Sequence, residues 1–313
     1  MNKLVIFAVI GVVVLALGLG LGFGLNGDSG ETTETPITLE TSTLETSTLA
    51  PVTQSPTTQS QSRHNGILLK YLHDNSDKSR AFTYRELKPS EKIGNFTYHW
   101  LHVTSILYWN ETITNAYIWE HQALILIPDT VIPESFKSNT VTILIDGGHN
   151  TNDPIDPKKE DSYIDAIKGI SSKTGTIGVF MNGVPPKLKY YDWEYDDDVH
   201  SEDDLLAMMW WRYLFNSHDV QDSFIAPMAK AVIRVMDAVD GYLGASFGVE
   251  QFNYIPVGAS KRGWTTWLVA IADERVDTAI PIVMSMLNGN KFMHHQYSAY
   301  KRGLQKSHEN SQN

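Results

Sequence analysis

The feature that most restricts the fold is a short apolar run leading into a serine that stands between two glycines. The run covers residues 252–257, Gly258, Ser260 and Gly263 follow it, and residues 265–272 can continue as a helix. A sharp strand-to-helix turn that lifts a serine hydroxyl above the sheet edge is typical of a nucleophile elbow. Glycine is favoured there because the backbones crowd. A serine at such a turn is also a common helix N-cap, so the spacing alone leaves both roles open.

A second glycine pair follows an earlier apolar run. Residues 141–145 are rich in β-branched side chains, typical of a buried parallel strand, and lead into Gly147 and Gly148. In α/β-hydrolase enzymes, a loop after an early strand and the residue after the nucleophile supply the N–H groups of the oxyanion hole. We therefore predict that the Gly148 and Lys261 amides form such a hole. A tight Gly-Gly turn at a strand end is the alternative.

Strand and helix patterns alternate along most of the chain. Strands are predicted at 97–107, 116–127, 141–145, 176–181, 252–257 and 278–283, and helices at 205–215, 227–243 and 265–272. This alternation predicts a parallel sheet with right-handed crossovers, and it brings both glycine loops to one sheet edge. The expected fold class is α/β, with an α/β-hydrolase-like, mostly parallel sheet flanked by helices and incomplete at the C-terminus.

Three segments carry a resemblance to a known family. They are residues 227–239, the block 257–268 with its Gly-Ala-Ser-Lys-Arg-Gly-Trp-Thr sequence, and 279–283 with Leu287 and Asn288. These segments resemble the PhoPQ-activated pathogenicity-related protein family, which includes secreted eukaryotic proteins of the autocrine proliferation repressor A type. The resemblance extends from about Leu69 to the chain end. It implies an α/β-hydrolase-like fold and a serine hydrolase site at Ser260, and it defines no substrate.

Two features depart from the family pattern. The family domain continues beyond Asn313, where the last strands and the histidine of the Ser, acid, His order are expected. Ser285 stands where the family commonly has an Asp, and a neutral serine cannot stabilise an imidazolium as a carboxylate does. We therefore expect this chain to be a weak hydrolase or an inactive one. The alternative is a serine hydrolase that cleaves an ester or amide with Ser260 as nucleophile.

Several charged or imidazole side chains are candidates for binding a substrate. Either His294 or His295 could act as the base for Ser260 if the loop folds back, although a histidine pair after a strand is also typical of a surface or lid. Lys261 and Arg262 lie at a helix N-terminus, where the dipole disfavours cations. This placement favours a buried ion pair for Arg262 over substrate binding. The substrate-binding candidates are Arg262, His149, His294 and His295.

The N-terminal region predicts a membrane location. Residues 4–25 are uninterruptedly apolar, which is long enough to span a bilayer, and Lys3 precedes the run while acidic residues follow it. We expect residues 1–29 to form a single-pass type II signal anchor, so that the rest of the chain is extracellular or luminal. Secretion after cleavage of the segment is the alternative.

The next segment is rich in Thr, Ser, Pro, Gln and Glu. Residues 30–62 therefore cannot bury a core and are typical of an O-glycosylated stalk. Residues 63–313 are predicted to form the partial α/β-hydrolase-like domain. Asn95 and Asn110 begin N-glycosylation sequons, which is consistent with luminal exposure.

Composition excludes several other functions. The chain has no cysteine, so it can form neither disulfides nor cysteine metal sites, and its formal net charge of −11 argues against nucleic-acid binding. The acidic run between residues 192 and 204 lacks EF-hand spacing, and Ser201 with the acids after it predicts a helix N-cap and first turn instead. We expect no metal and no cofactor. The expected partners are the membrane, a cell-surface protein, or a small ester, amide or peptide substrate.

Overall fold

In the described part of the chain, the first helix is followed by four consecutive strands, and helices separate the later strands. The computed structural model describes residues 66–76, 82–129, 139–148, 153–159, 161–192, 198–223, 225–284 and 288–300. The strands are β1 (Thr83–Ile93), β2 (Phe96–Leu107), β3 (Ile118–Pro128), β4 (Thr140–Ile145), β5 (Ile177–Met181), β6 (Asn253–Ala259) and β7 (Ile280–Ile282). The helices are α1 (Ile67–His73), α2 (Ser162–Thr174), α3 (Glu202–Arg212), α4 (Ile225–Phe247), α5 (Lys261–Ala272) and α6 (Gly289–Tyr300).

The described strands form one mixed sheet in the order β1-β2-β3-β5-β4-β6-β7. Strands β5, β4, β6 and β7 pair in parallel, and helices α2 and α5 follow β4 and β6. Strands β1, β2 and β3 form an antiparallel meander, and β3 also meets β5 antiparallel. The predicted α/β-hydrolase-like class is confirmed, and the meander adds an antiparallel half that the sequence pattern had not specified.

Helices cover both faces of the central strands. Strands β4 and β5 are almost entirely buried, which explains why they are continuous apolar runs rather than alternating ones. Leu144 and Phe180 belong to the core cluster that contains α2, whereas Ile143 and Val179 belong to the larger cluster that contains α4. Successive strand residues point to opposite faces, so each strand contributes to both cores.

Several helices and strands begin or end at residues other than those predicted. The predicted helix at 205–215 begins earlier, at Glu202, and ends at Arg212, where a π-helical turn, Tyr213–Ser217, continues it. Ser201 does precede this helix, but its side chain makes no capping hydrogen bond, so that part of the prediction was wrong. The predicted helix at 227–243 extends to 225–247, while the last predicted strand shortens to β7.

The predicted anchor at 4–25, the stalk at 30–62, His149 and Ser285 lie outside the described residues. Among the helices that the structure does describe, none is both long and apolar enough to cross a membrane. The same ranges contain no group of three or more His, Cys, Asp or Glu side chains arranged to hold a metal ion.

Candidate active site

Ser260 occupies the turn between β6 and α5 in a conformation that non-glycine residues rarely adopt. Its backbone has φ 56° and ψ −123°. The Ser260 amide donates to the Ile282 carbonyl at 2.9 Å, and the Ser260 carbonyl accepts from the Trp264 amide at 3.1 Å. The residue is exposed, and its hydroxyl makes no capping hydrogen bond to α5. The structure therefore does not use this serine as an ordinary helix cap.

Close backbone contacts explain the two glycines of the turn. A Cβ at Gly258 would lie 2.5 Å from the Arg262 carbonyl oxygen, and a Cβ at Gly263 would lie 2.8 Å from the Ile282 carbonyl oxygen. Both distances are shorter than a Cβ tolerates. The second glycine stands three residues after the serine because that position of α5 packs directly on β7.

The Gly147-Gly148 loop lies beside this elbow. Strands β4 and β6 pair with Ile145 opposite Gly258, so their carboxyl ends meet at the same sheet edge. A Cβ at Gly147 would overlap the Arg262 guanidinium, which shows how closely the loop approaches α5. Gly148 has a φ of +82°, which also favours glycine.

The position of the Lys261 amide suits the proposed oxyanion role. Lys261 is the first residue of α5, and the first N–H groups of a helix have no partner within the helix. The Gly148 amide lies in the neighbouring loop at the same edge. That the Lys261 and Gly148 amides bind one oxyanion together stays a prediction. The pairing of β4 with β6 brings the two loops to the same sheet edge, as this prediction requires.

A cluster of ion pairs, in which the two cations are nearly buried and the two acids are partly or largely exposed, joins the elbow to α3. The Arg262 guanidinium donates from Nη1 to Glu202 Oε2 at 2.7 Å, from Nη2 to Glu202 Oε1, and from Nε to the Val184 carbonyl at 2.7 Å. Lys261 Nζ lies 2.7 Å from Glu202 Oε2 and 2.8 Å from Asp203 Oδ1. The pairing of Arg262 with an acid, favoured from sequence, is observed. Its role in binding a substrate stays a prediction.

The cations control the ionisation of Glu202. Burial by itself would raise the pKa of the Glu202 carboxyl, but hydrogen bonds and charge from Arg262 and Lys261 outweigh burial and lower the pKa to about 2. The sequence analysis placed Glu202 in the first turn of a helix and did not identify its partners. No local signal identifies them, because the pair is separated by 60 positions in the chain.

Asp146, at the end of β4, is a site residue that the sequence analysis missed. Burial raises the pKa of its carboxyl, although a hydrogen bond with the Gly147 backbone and the charge of Arg262 act in the opposite direction. The signal available in the sequence was its position, since an acid directly after a buried parallel strand lies at the edge where α/β sheets place their sites.

In the described part of the chain, no hydrogen bond joins His294 or His295 to Ser260. His294 and His295 lie exposed on α6, and no imidazole among the described residues donates to or accepts from the Ser260 hydroxyl. A different histidine, His121, lies in the core, with its ring bonded to Ser105 Oγ at 2.8 Å and to the Asn182 carbonyl at 3.2 Å. Burial lowers the His121 pKa to about 4. That imidazole is part of the interior and cannot serve an exposed nucleophile.

Residues 68–306 match the sequence pattern of the family described as PhoPQ-activated pathogenicity-related protein. The chain belongs to this family. The autocrine proliferation repressor protein A of Dictyostelium discoideum is 34% identical over 206 residues, a match that covers 66% of this chain and 39% of the relative. The chain thus spans well under half of that relative's length, and the family resemblance inferred from the residues is confirmed.

Solved structures that are similar to this chain include three esterases. The acetyl xylan esterase from Paenibacillus sp. R4 is 12% identical, with a TM-score of 0.44 over 81% of this chain and 66% of that chain. Acetyl xylan esterase 1 from Thermoanaerobacterium sp. JW/SL YS485 is 10% identical, with a TM-score of 0.40 over 75% of this chain and 66% of that chain. The glucuronoyl esterase from Solibacter usitatus is 14% identical, with a TM-score of 0.39 over 72% of this chain and 60% of that chain. These low values carry no conclusion about substrate, and the fold is assigned from the strand order and the elbow.

Proposed function

We propose that this protein is an extracellular-facing member of the family, built on a serine-hydrolase scaffold with Ser260 as the nucleophile for an ester or amide. The observation that carries the proposal is the conformation of Ser260, an exposed residue that combines a positive φ with a hydroxyl that caps nothing. Backbone strain of this kind costs about 1–3 kcal/mol and concentrates at functional sites. An ordinary N-cap adopts an extended backbone and has no need of that strain.

The proposed chemistry is acyl transfer. Ser260 Oγ bonds to the substrate carbonyl carbon while its proton passes to a base, and the oxyanion that forms is stabilised by the Gly148 and Lys261 amides. Collapse of this intermediate breaks the ester or amide bond, and the leaving alcohol or amine takes the proton from the base. Water then attacks the acyl-enzyme in the same way and releases the acid.

We further propose that turnover by the described residues is weak or absent. A serine needs a base to lose its proton at neutral pH, and the described residues place no imidazole on the Ser260 hydroxyl. His294 and His295 are exposed on α6, and neither is hydrogen-bonded to the Ser260 hydroxyl. An oxyanion hole without a complete triad still accelerates reactions by about 10³–10⁴ over water, so weak turnover is compatible with this site.

We also propose that residues 4–25 anchor the protein as a type II membrane protein, with residues 30–62 as a spacer. The support is the apolar run and its flanking charges. Exposure of the sequon residues Asn95 and Asn110 is compatible with glycans at both positions. In sealed microsomes we expect the domain to be protected from protease until detergent is added. Digestion without detergent would contradict this topology.

A second candidate function is that of a cell-surface binding or signalling protein on the same scaffold. The observation that favours it is the lack of a base at Ser260 among the described residues, together with the engagement of Arg262 by Glu202. The relative from Dictyostelium discoideum carries the name of a proliferation repressor, which also suggests such a role.

A fluorophosphonate probe separates the two candidates. The Ser260 Oγ would form a bond to phosphorus with loss of fluoride, and we expect slow labelling that disappears in Ser260→Ala. The matched control is Ser172→Ala, which removes an exposed serine from α2 and should leave labelling unchanged. Absence of labelling in the unmodified chain would exclude the hydrolase candidate and favour the binding role. Rapid labelling would contradict the proposed weakness, because it would require a working base.

A further inference from the structure

The Arg262 guanidinium packs against the loop that is predicted to bind the oxyanion. It fills the space that a Cβ on Gly147 would need, so the loop backbone lies close against the guanidinium. Arg262 lies on the first turn of α5, two residues after the nucleophile. One side chain of the elbow helix therefore supports the loop that supplies the other oxyanion donor.

The position of this guanidinium is determined by its acceptors. Nε donates to the Val184 carbonyl, and the two terminal nitrogens donate to the two oxygens of Glu202 in the bidentate geometry that an arginine and a carboxylate favour. Val184 in turn donates its amide to the Asp146 carbonyl at 3.1 Å, and Gly183 donates to the Gly147 carbonyl at 2.8 Å. The loops after β4 and β5 and the first turn of α5 thus form one hydrogen-bonded unit.

Glu202 supplies the anion of this unit from a separate helix. Its backbone has a φ of 53°, a conformation that non-glycine residues rarely adopt, at the first residue of α3. The same carboxylate also receives Lys261, so it compensates two adjacent cations at the N-terminus of α5. Without that charge, the two cations would repel each other and the helix dipole would oppose both of them.

We infer that Glu202 is a positioning residue, which holds Arg262 under the Gly147-Gly148 loop and thereby orients the oxyanion donors for attack by Ser260. The catalytic part of this inference rests on the proposed hydrolase function. Glu202 acts through Arg262, and its own Oε1 also lies 2.7 Å from the position that a Gly147 Cβ would take, so both side chains of the pair pack against the loop. No hydrogen bond joins Glu202 to Ser260 in the described structure. Its removal should loosen the loop and slow covalent reaction at Ser260, with little effect on the initial binding of a small probe.

The test is Glu202→Gln, which keeps the shape of the side chain and removes its charge. We expect at least a tenfold faster amide hydrogen exchange in peptides covering residues 141–148. We also expect at least a tenfold fall in kinact for fluorophosphonate labelling of Ser260, with KI nearly unchanged. Loss of a residue with only a structural role would not speed hydrogen exchange selectively in this loop. It would also not lower kinact while leaving KI nearly unchanged.

The matched control is Asp192→Asn. Asp192 is a half-exposed acid that receives Arg212 Nη1 at 2.6 Å, and Arg212 is the last residue of α3, so this variant removes a comparable ion pair at the opposite end of the same helix. We expect it to change neither the exchange of residues 141–148 nor the labelling of Ser260.

Each outcome bears on a different statement. Unchanged loop exchange in a folded Glu202→Gln variant would overturn the inference, even if Ser260 is labelled normally. If the unmodified chain is not labelled at all, the hydrolase proposal fails and the catalytic role of Glu202 fails with it, while exchange still reports on the loop. If Glu202→Gln does not fold, Arg262→Lys replaces it, because a lysine keeps the charge and loses the bidentate contact. Arg262→Lys should then give the same faster hydrogen exchange in residues 141–148.

Discussion

Replacing Gly263 by alanine should distort the elbow, although alanine is the better helix former. Gly263 lies in the first turn of α5, with no room for a side chain. The new Cβ would lie 2.8 Å from the Ile282 carbonyl oxygen, 2.9 Å from the Met284 Cβ and 3.1 Å from the Gly258 carbonyl oxygen. None of these atoms is the end of a flexible side chain, so the clash can be relieved only by moving α5 away from β7 and β6.

Two opposing energies, helix propensity and overpacking, decide whether Gly263→Ala stabilises or destabilises the protein. Alanine gains about 0.8–1.0 kcal/mol over glycine in a helix interior. Overpacking a close-packed site costs about 1–3 kcal/mol, and the upper half of that range applies because three rigid atoms must shift. We therefore expect a net destabilisation of about 1–2 kcal/mol. Gly169 on α2 provides the control, since a Cβ there meets nothing within 4 Å, and Gly169→Ala should stabilise the protein by up to about 1 kcal/mol.

The assay is urea denaturation of the two variants and the unmodified chain, together with fluorophosphonate labelling of Ser260. Gly263→Ala should lower the urea midpoint and slow the labelling, whereas Gly169→Ala should raise the midpoint and leave the labelling unchanged. If Gly263→Ala matched Gly169→Ala in stability, the close contact between α5 and β7 would be wrong, and so would the explanation of the displaced glycine.

Three further predictions concern ionisation and glycosylation. The folded-state pKa of Glu202, about 2, lies below its ordinary value of 4.5, so its ion pairs stabilise the fold above that value and lose their contribution as the pH falls towards 2. The stability difference between the unmodified chain and Glu202→Gln, measured by denaturation, should shrink over that range and not between pH 6 and 8. The His121 pKa of about 4 lies below its ordinary 6.5, so protonation favours unfolding. The free energy of unfolding should fall by about 3 kcal/mol as the pH falls from 6.5 to 4, and the His121 ring should show no NMR titration above pH 5. Expression in a secretory host should add glycans at Asn95 and Asn110, with a mobility shift on glycosidase treatment that Asn95→Gln and Asn110→Gln each reduce; an unshifted band would contradict luminal exposure.

The elbow and the central strands could be predicted from sequence because their causes are local. A continuous apolar run such as 141–145 predicts a strand buried on both faces, and a serine between glycines after another such run predicts a sharp turn into a helix. These patterns were sufficient to predict that Ser260, Gly147 and Gly148 lie in loops that follow strands, and that these loops share one sheet edge. The structure adds the reasons for these glycines, which are a guanidinium contact at Gly147 and a positive φ at Gly148.

Other features depended on contacts between distant segments. The edge strand β1 is largely exposed, so it lacks the apolar signal of a buried strand, and its assignment depends on pairing with β2. The exposure of His294 and His295 follows from the placement of α6, which no pattern within the pair determines. Glu202 resembled any first-turn acid until the fold brought it to Arg262 and Lys261. A residue's own sequence neighbourhood determines its backbone preference, but the partner of a charge depends on which segments the tertiary structure brings together. Only the fold could therefore show that the acid of α3 pairs with the two cations that follow Ser260.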